Sequence, residues 1–236
     1  KLSMGWDLNH QTFTSKRTES SAQSMTDAAL FAQTQWSNDH IRLQLGLRKA
    51  YNSLFESPFL PSIHGVRKHR NQRIRVSYAR GFRAPSLKEM YFRFVDINHT
   101  LFGNLNLTPE TSDFAQISWA VQQERIQLSA QLFSNFVKNQ IGLVDQLDGT
   151  FRYQNFAQFQ AQGMKINGEM NREKWALNGA VSFISSEQQI VTSQEAFARI
   201  NSTECAISFD WKALEQVNFG TSLRWIGPTQ RAVSEA

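Results

Sequence analysis

Residues 41–48 read IRLQLGLR. Ile41, Leu43, Leu45 and Leu47 fall on one side of a period of two, and Arg42, Gln44, Gly46 and Arg48 fall on the other. Successive side chains of a β-strand point to opposite faces, so the octet predicts a strand with one apolar and one polar face. The same alternation recurs along the chain. Leu2, Met4, Trp6 and Leu8 oppose Lys1, Ser3, Gly5 and Asp7; Ile74, Val76 and Tyr78 oppose Arg73, Arg75 and Ser77; Cys205, Ile207, Phe209 and Trp211 oppose Glu204, Ala206, Ser208 and Asp210. The period predicts about eleven strands, at roughly 1–11, 26–36, 41–51, 60–67, 73–81, 112–122, 125–141, 151–170, 174–185, 200–211 and 216–227. No stretch sustains a helical period.

Composition narrows the class. The chain has 236 residues, 41% of them hydrophobic, with 18 Phe, 6 Trp and 4 Tyr but only 19% charged. So aromatic and charge-poor a chain is not disordered. The formal net charge is +5, and the densest basic cluster, VRKHRNQRIR at 66–75, is short. That pattern gives no broad basic face, so nucleic acid is not an expected partner. The single cysteine, Cys205, excludes a disulfide framework and a cysteine-rich metal site. No apolar run approaches the ~18 residues of a transmembrane helix, which leaves a transmembrane barrel open. The chain starts at Lys1 without a signal-peptide pattern and stops at RAVSEA in mid-pattern, so a piece of something longer is expected.

The connections alternate in length. Short polar turns are read at 37–40, 68–72, 123–124, 171–173 and 212–215, and longer connections at 12–25, 52–59, 82–111, 142–150 and 186–199. In an antiparallel sheet this sorts all short turns to one end and all long loops to the other, the asymmetry of outer-membrane barrels. Trp36, Trp175 and Trp211 each sit beside a short turn on the apolar face, while Tyr51, Tyr78 and Trp225 lie toward the opposite end. Aromatics gather where an apolar surface meets water, although the rim of a soluble core would also hold them. The polar face mixes Gln, Asn, Ser, Gly and Ala with scattered Arg, and the mean hydropathy is −0.43. That suits a wet lumen better than a face turned to bulk water.

One stretch breaks the alternation. Residues 79–92, ARGFRAPSLKEMYF, follow a strand pattern and then become too irregular for a helix. Gly81 and Pro85 are read as ending the strand together, because glycine tolerates unusual backbone angles and proline cannot donate to a ladder. Arg80 and Arg83 flank that turn and are read as tying loop to wall. RVSYARGFRAPSLKEMYF (75–92) followed by GNLNLTPETS (103–112) resembles the C-terminal barrel half of TonB-dependent outer-membrane receptors. DAALFAQTQW (27–36), GLRKAYN (46–52), LFSNFVKNQI (132–141) and YQNFAQFQAQGMKING (153–168) match the family's pieces in order, and FVDINHTLFGN (94–104) looks most like receptors of the Bacteroidetes.

The resemblance implies an all-β fold: an antiparallel transmembrane β-barrel portion of about eleven strands from a barrel of about 22, without the plug domain. The strands correspond to roughly numbers 9 to 19 of such a barrel, so a fragment or incompletely observed receptor is expected. The domain reading is one barrel region over 1–236 with a long extracellular loop at 82–111. Implied function is uptake of a scarce solute across the bacterial outer membrane, first a ferric siderophore or other iron chelate. Cobalamin, haem, glycan, or a non-transporting structural or adhesive barrel are the alternatives. Implied partners are TonB, engaged through an N-terminal segment that this sequence lacks, the cargo, and outer-membrane lipid.

Within loop 82–111, the residues Arg83, Tyr91, Phe92, Arg93, Asp96 and His99 are candidates to hold an anionic, ring-rich cargo, since guanidinium and aromatic groups suit it. The competing account is that the loop's apolar residues simply pack it down. His10, His40, His64, His69 and His99 show no metal-ligand spacing, so no metal and no cofactor is assigned. No nucleophile elbow or phosphate-cradling glycine loop occurs, so no catalytic residue is assigned and an enzyme is not expected.

Overall fold

The computed structural model describes residues 1–14, 22–96, 100–146, 148–191, 195–228 and 230–235. The elements in chain order are β1 (Leu2–Phe13), β2 (Gln23–Ser37), β3 (Ile41–Asn52), β4 (Phe59–His69), β5 (Gln72–Arg83), α1 (Leu87–Tyr91), β6 (Arg93–Val95), β7 (Thr100–Phe102), β8 (Glu110–Gln122), β9 (Ile126–Asp145), β10 (Thr150–Asn171), β11 (Trp175–Val191), β12 (Glu195–Leu214), β13 (Val217–Ile226) and β14 (Gln230–Glu235). The path β1-β2-β3-β4-β5-β8-β9-β10-β11-β12-β13 is one antiparallel meander, so the eleven expected strands all form and pair in sequence order. Three short strands lie off the path: β6 pairs β7, β7 pairs β10, and β14 pairs β12.

The alternation settles the two faces. Leu2, Met4, Trp6 and Leu8 of β1 are each more than 60% exposed, and Leu30, Leu47, Val76, Leu132, Ile207 and Leu223 are also open. Register aligns them across strands, as in Trp6↔Leu30 and Ile207↔Leu223, into one continuous apolar face. Among the described residues only seven hydrophobic side chains are buried. A water-soluble fold of this length would bury many more, so the open apolar face is the surface that meets lipid. The opposite face carries Gln44, His64, Ser77, Gln116 and Gln131, joined by ties such as Asn167 Nδ2 to Ser129 Oγ (3.2 Å) and Arg48 Nη1 to Asp7 Oδ2 (2.6 Å).

The tryptophans mark the short-turn rim. Trp175 stands opposite Trp211 in register; Trp175 packs on Phe209 (6.2 Å) and Trp211 stacks on Phe219 (5.9 Å). Trp119 joins Trp36 there and turns its indole N–H to Gln72 Oε1 (3.1 Å). An apolar ring with its polar edge toward water is what an interface favours.

Three expectations are corrected. First, the strands on the long-loop side overshoot: β9, β10 and β12 have 20, 22 and 20 residues, so the connections read at 142–150 and 186–199 are largely strand. A membrane crossing needs about 9–11 residues, so these hairpins project well beyond the apolar band. Second, the stretch read as too irregular for a helix contains α1, closed by a capping box in which Ser86 and Glu89 satisfy each other's backbone donors. Five residues are too few to show a helical period. Third, Gly81 does not end a strand, since β5 runs on to Arg83 and Gly81 has no left-handed backbone. Its missing Cβ instead leaves room for the Ser112 hydroxyl, 2.4 Å from where that carbon would lie. The β9–β10 ladder lapses at Ala157, opposite Asn139, whose φ is 54°.

Substitution should separate the two faces. Val181→Arg, at the middle of the apolar face, is expected to destabilise the whole receptor by about 2–4 kcal/mol in urea unfolding from lipid bilayers. Its neighbour Ser182→Arg, on the polar face, should stay within about 0.5 kcal/mol of the parent.

Candidate functional site: the barrel mouth

The described residues of segment 84–109, between β5 and β8, fold inward over the polar face instead of standing away from it. Leu87 and Met90 of α1 are buried with Met25 of β2, Leu107 and Ile141 of β9, and Phe13, Phe55 and Tyr153 pack around them. Pro85 is fully buried at the turn. This small core closes part of the mouth at the long-loop end.

Polar ties fix it. Arg83 Nη1 donates to both oxygens of Glu89 (3.0 Å each), and Nη2 donates to Glu110 Oε1 (2.5 Å). Glu89 also accepts from Ser86 N (2.7 Å) and Ser86 Oγ (2.9 Å), while Glu110 accepts from Ile141 N (2.6 Å). One guanidinium thus joins the end of β5, helix α1 and the start of β8, and through Glu110 it reaches β9. The hydrogen bond to Glu110 is the main influence raising the Arg83 pKa above its ordinary value, so the clasp stays cationic at any physiological pH. Arg80, also read as tying loop to wall, instead stands on the outward face opposite Asp113, which accepts from the Tyr78 hydroxyl at 2.6 Å.

The stretch 103–112 does related work. A Cβ on Gly103 would lie 2.4 Å from the Met90 carbonyl oxygen, so only glycine lets the two backbones approach. Asn104 Nδ2 donates to the Tyr153 carbonyl (2.9 Å), and its Oδ1 accepts from Asn106 N (2.9 Å). Asn155 accepts from Thr108 N (2.8 Å) and donates to the carbonyls of Thr108 (2.9 Å) and Asn139 (2.7 Å). The motif residues that stand out in the sequence therefore hold the segment to the wall.

Beside this core lies a cavity of about 580 Å³, lined by Gln23, Tyr91, Phe92, Arg93, Phe102 and Arg152 among others. Its geometry comes from three strands. Arg93 of β6 stands opposite Phe102 of β7, and Phe102 pairs in parallel register with Arg152 of β10. The Arg93 and Arg152 guanidiniums lie 5.6 and 5.9 Å from the Phe102 ring centroid. Phe92 stacks on Phe94 (6.3 Å) and meets Phe13 edge-on (6.4 Å).

Of the six expected residues, Tyr91, Phe92 and Arg93 come together here. Arg83 lies apart, committed to its two carboxylates, and Asp96 lies just past β6 and does not line the cavity. His99 falls outside the described residues. Phe102, Arg152 and Gln23 were not expected: Arg152 lies some fifty positions beyond the others, and only the parallel β7–β10 pairing brings it in. Among the described residues no three of His, Cys, Asp and Glu are grouped to hold a metal ion.

Residues 4–235 match the family described as TonB dependent receptor-like, beta-barrel. The chain is 30% identical over 125 residues to hemoglobin-binding protein A of Haemophilus influenzae, covering 52% of this chain and 12% of that protein. It is 30% identical over 83 residues to a hemoglobin and hemoglobin-haptoglobin-binding protein of Haemophilus ducreyi, covering 35% and 8%. Its fold resembles the siderophore receptor PirA of Pseudomonas aeruginosa, with a TM-score of 0.67 at 18% identity over 94% of this chain and 47% of that one. The ferric enterobactin receptor PfeA of the same organism gives 0.63 at 13% identity, covering 94% and 45%. The chain therefore spans under half the length of these solved structures and a small part of the curated relatives.

Removing the clasp should loosen the mouth without unfolding the wall. Arg83→Met is expected to raise amide hydrogen exchange at Met90, Gly103 and Asn104 in the whole receptor by the equivalent of about 1–2 kcal/mol. The amides of β11 and β12 should keep their protection.

Proposed function

The chain belongs to the TonB-dependent receptor β-barrel family of the bacterial outer membrane, and we propose that its mouth binds an anionic, ring-bearing iron complex for import. The observation that carries this is the row Arg93–Phe102–Arg152. Two guanidiniums 5.6 and 5.9 Å from one ring centroid present charge to an anion beside an aromatic surface for a cargo ring. The cavity beside them is of a size that holds a small ligand. A ferric siderophore is the first reading, consistent with the relatives of like fold that bind such chelates. Haem is the second, favoured by the haemoglobin-binding names of two relatives in sequence; its carboxylates and flat ring would use the same groups.

In this reading the barrel does no chemistry on the cargo. Arg93 and Arg152 select charge, Tyr91, Phe92 and Phe102 provide the surface, and the clasped segment 84–109 keeps them in register. Lipid surrounds the apolar face, and TonB supplies the energy for import.

The test is cargo binding by the purified whole receptor, followed by quenching of its tryptophan fluorescence with ferric enterobactin and, separately, with hemin. A hydrogen bond to a charged group contributes about 1.5–3 kcal/mol, so Arg93→Ala and Arg152→Ala should each weaken binding of the true cargo about tenfold or more. Binding of one complex and not the other decides between siderophore and haem. If both variants bind as tightly as the parent, the site lies elsewhere.

A further inference from the structure

On the lipid-facing side of the wall, register draws one row across five strands: Leu128 of β9, Gly168 of β10, Gly179 of β11, Ile207 of β12 and Leu223 of β13. The two opposed glycines at its centre leave bare backbone where neighbouring rows carry side chains. Ile166, Val181 and Trp225 of the next row stand beside the gap, and these apolar side chains are all open on the outward face. The result is an apolar hollow of about 460 Å³. A glycine inside a strand costs conformational entropy and packs nothing, so it marks a bulge, a tight bend or a place where another group comes close to the backbone. No bulge is present, because both ladders of β11, to β10 and to β12, are continuous. A Cβ on Gly179 would meet no atom within 4 Å, and its backbone is not left-handed. Gly168 differs, since a Cβ there would lie 3.2 Å from Leu128 Cδ2. The space over Gly179 is therefore open, and the floor lies on β10 and β11, each paired on both sides.

Below the hollow stands the short-turn rim. Trp175 and Trp211 face each other there, and the Lys212 amide donates to the Lys174 carbonyl at 2.7 Å, which brings the two lysine backbones together. Five residues of strand, roughly 16 Å, separate Lys174 from Gly179 and Lys212 from Ile207. Half the hydrocarbon thickness of a bilayer is about 15 Å. Glu173 and Glu215 lie in the turns beside these lysines, and all four charged side chains are exposed, so the rim is of mixed sign. We propose that the hollow and the rim beneath it form one site for a zwitterionic phospholipid of the leaflet at the short-turn end. An acyl chain lies over Gly179, the phosphate meets Lys174 and Lys212, and the head-group amine meets the carboxylates of Glu173 and Glu215. Carboxylates beside the cations favour such a head over one that is only anionic. Trp175 and Trp211 stand between, at the depth where indole rings mark the boundary of chain and head group. Lipid meets the whole apolar face, but here the wall gives one chain a seat, so this lipid stays while its neighbours exchange. The inference concerns the outer wall and does not depend on what the mouth binds.

The test uses the whole receptor purified in detergent, with phosphatidylethanolamine as the probe and phosphatidylglycerol as the comparison, read by native mass spectrometry and by the thermal midpoint. The parent should keep a phosphatidylethanolamine through washing that strips other lipid, and added phosphatidylethanolamine should raise its midpoint. Gly179→Leu puts a side chain into the open space. It should keep the parent's midpoint in lipid-free detergent, lose the retained lipid, and no longer respond to added lipid. Lys174→Gln/Lys212→Gln should weaken retention about tenfold or more, as expected for lost charge-assisted hydrogen bonds to a phosphate. Lys174→Arg/Lys212→Arg keeps the charge and should retain lipid like the parent, which separates head-group contact from a folding defect. A parent that keeps no lipid, or a Gly179→Leu variant that keeps as much as the parent, would overturn the proposal and leave only the lipid that covers the face at large. So would a lowered midpoint of Gly179→Leu in lipid-free detergent, which would mean that the glycine serves a bend of the wall. A dimer of the parent that Gly179→Leu abolishes would also overturn it, because the hollow would then seat a second copy of the chain. Equal retention of phosphatidylglycerol would overturn the assignment to a zwitterionic head.

Discussion

A strand that crosses lipid has no water to satisfy its backbone, so every N–H and C=O must find a neighbouring strand. The meander from β1 to β13 meets that requirement for the strands between its two edges. Once the backbone is committed, side chains divide between lipid and lumen by parity alone. The wide-open Leu, Met and Trp residues on one face, and the Gln, Ser, Asn and Arg residues on the other, follow from this constraint. The sorting of turns follows as well. Connections at one rim need only reverse the chain, whereas those at the other rise from hairpins that outrun the membrane and can build a mouth.

The mouth depends on a different device. Few side chains of segment 84–109 are buried, and its small core joins its own Leu87, Met90 and Leu107 to Met25 of β2 and Ile141 of β9. Directional bonds supply what burial does not: Arg83 between two carboxylates, and Asn104 and Asn155 closing on backbone carbonyls. Such bonds tolerate water and fix orientation, which suits a surface that has to stay open to solute. The same register that anchors β7 to β10 aligns Arg93, Phe102 and Arg152, so the anchoring and this row arise together.

The wall was legible in the sequence because its signal is repeated. Each strand shows several cycles of alternation, and turns punctuate them, so even soft boundaries gave the right path. What the sequence did not show is local and brief. α1 has five residues and β6 and β7 three each, too short for any period to emerge. The ring of Phe102 and the charge of Arg152 meet through a parallel pairing between distant segments, which no local pattern announces. Tyr91, Phe92 and Arg93 line one cavity together, as neighbours in the chain readily do. Arg83 was read both as a tie of loop to wall and as a cargo candidate, and its pairs with Glu89 and Glu110 serve the tie.

We infer that the hairpin ends and the inlaid mouth face outward from the cell while the short turns face the periplasm. It is tested most directly by labelling single cysteines in intact cells with a membrane-impermeant maleimide, in a Cys205→Ser background. Asp148→Cys, at the tip of the β9–β10 hairpin, should label at once. Glu124→Cys, in the turn between β8 and β9, should label only after the outer membrane is permeabilised. Labelling of Glu124→Cys from outside with protection of Asp148→Cys would invert the wall and contradict the account.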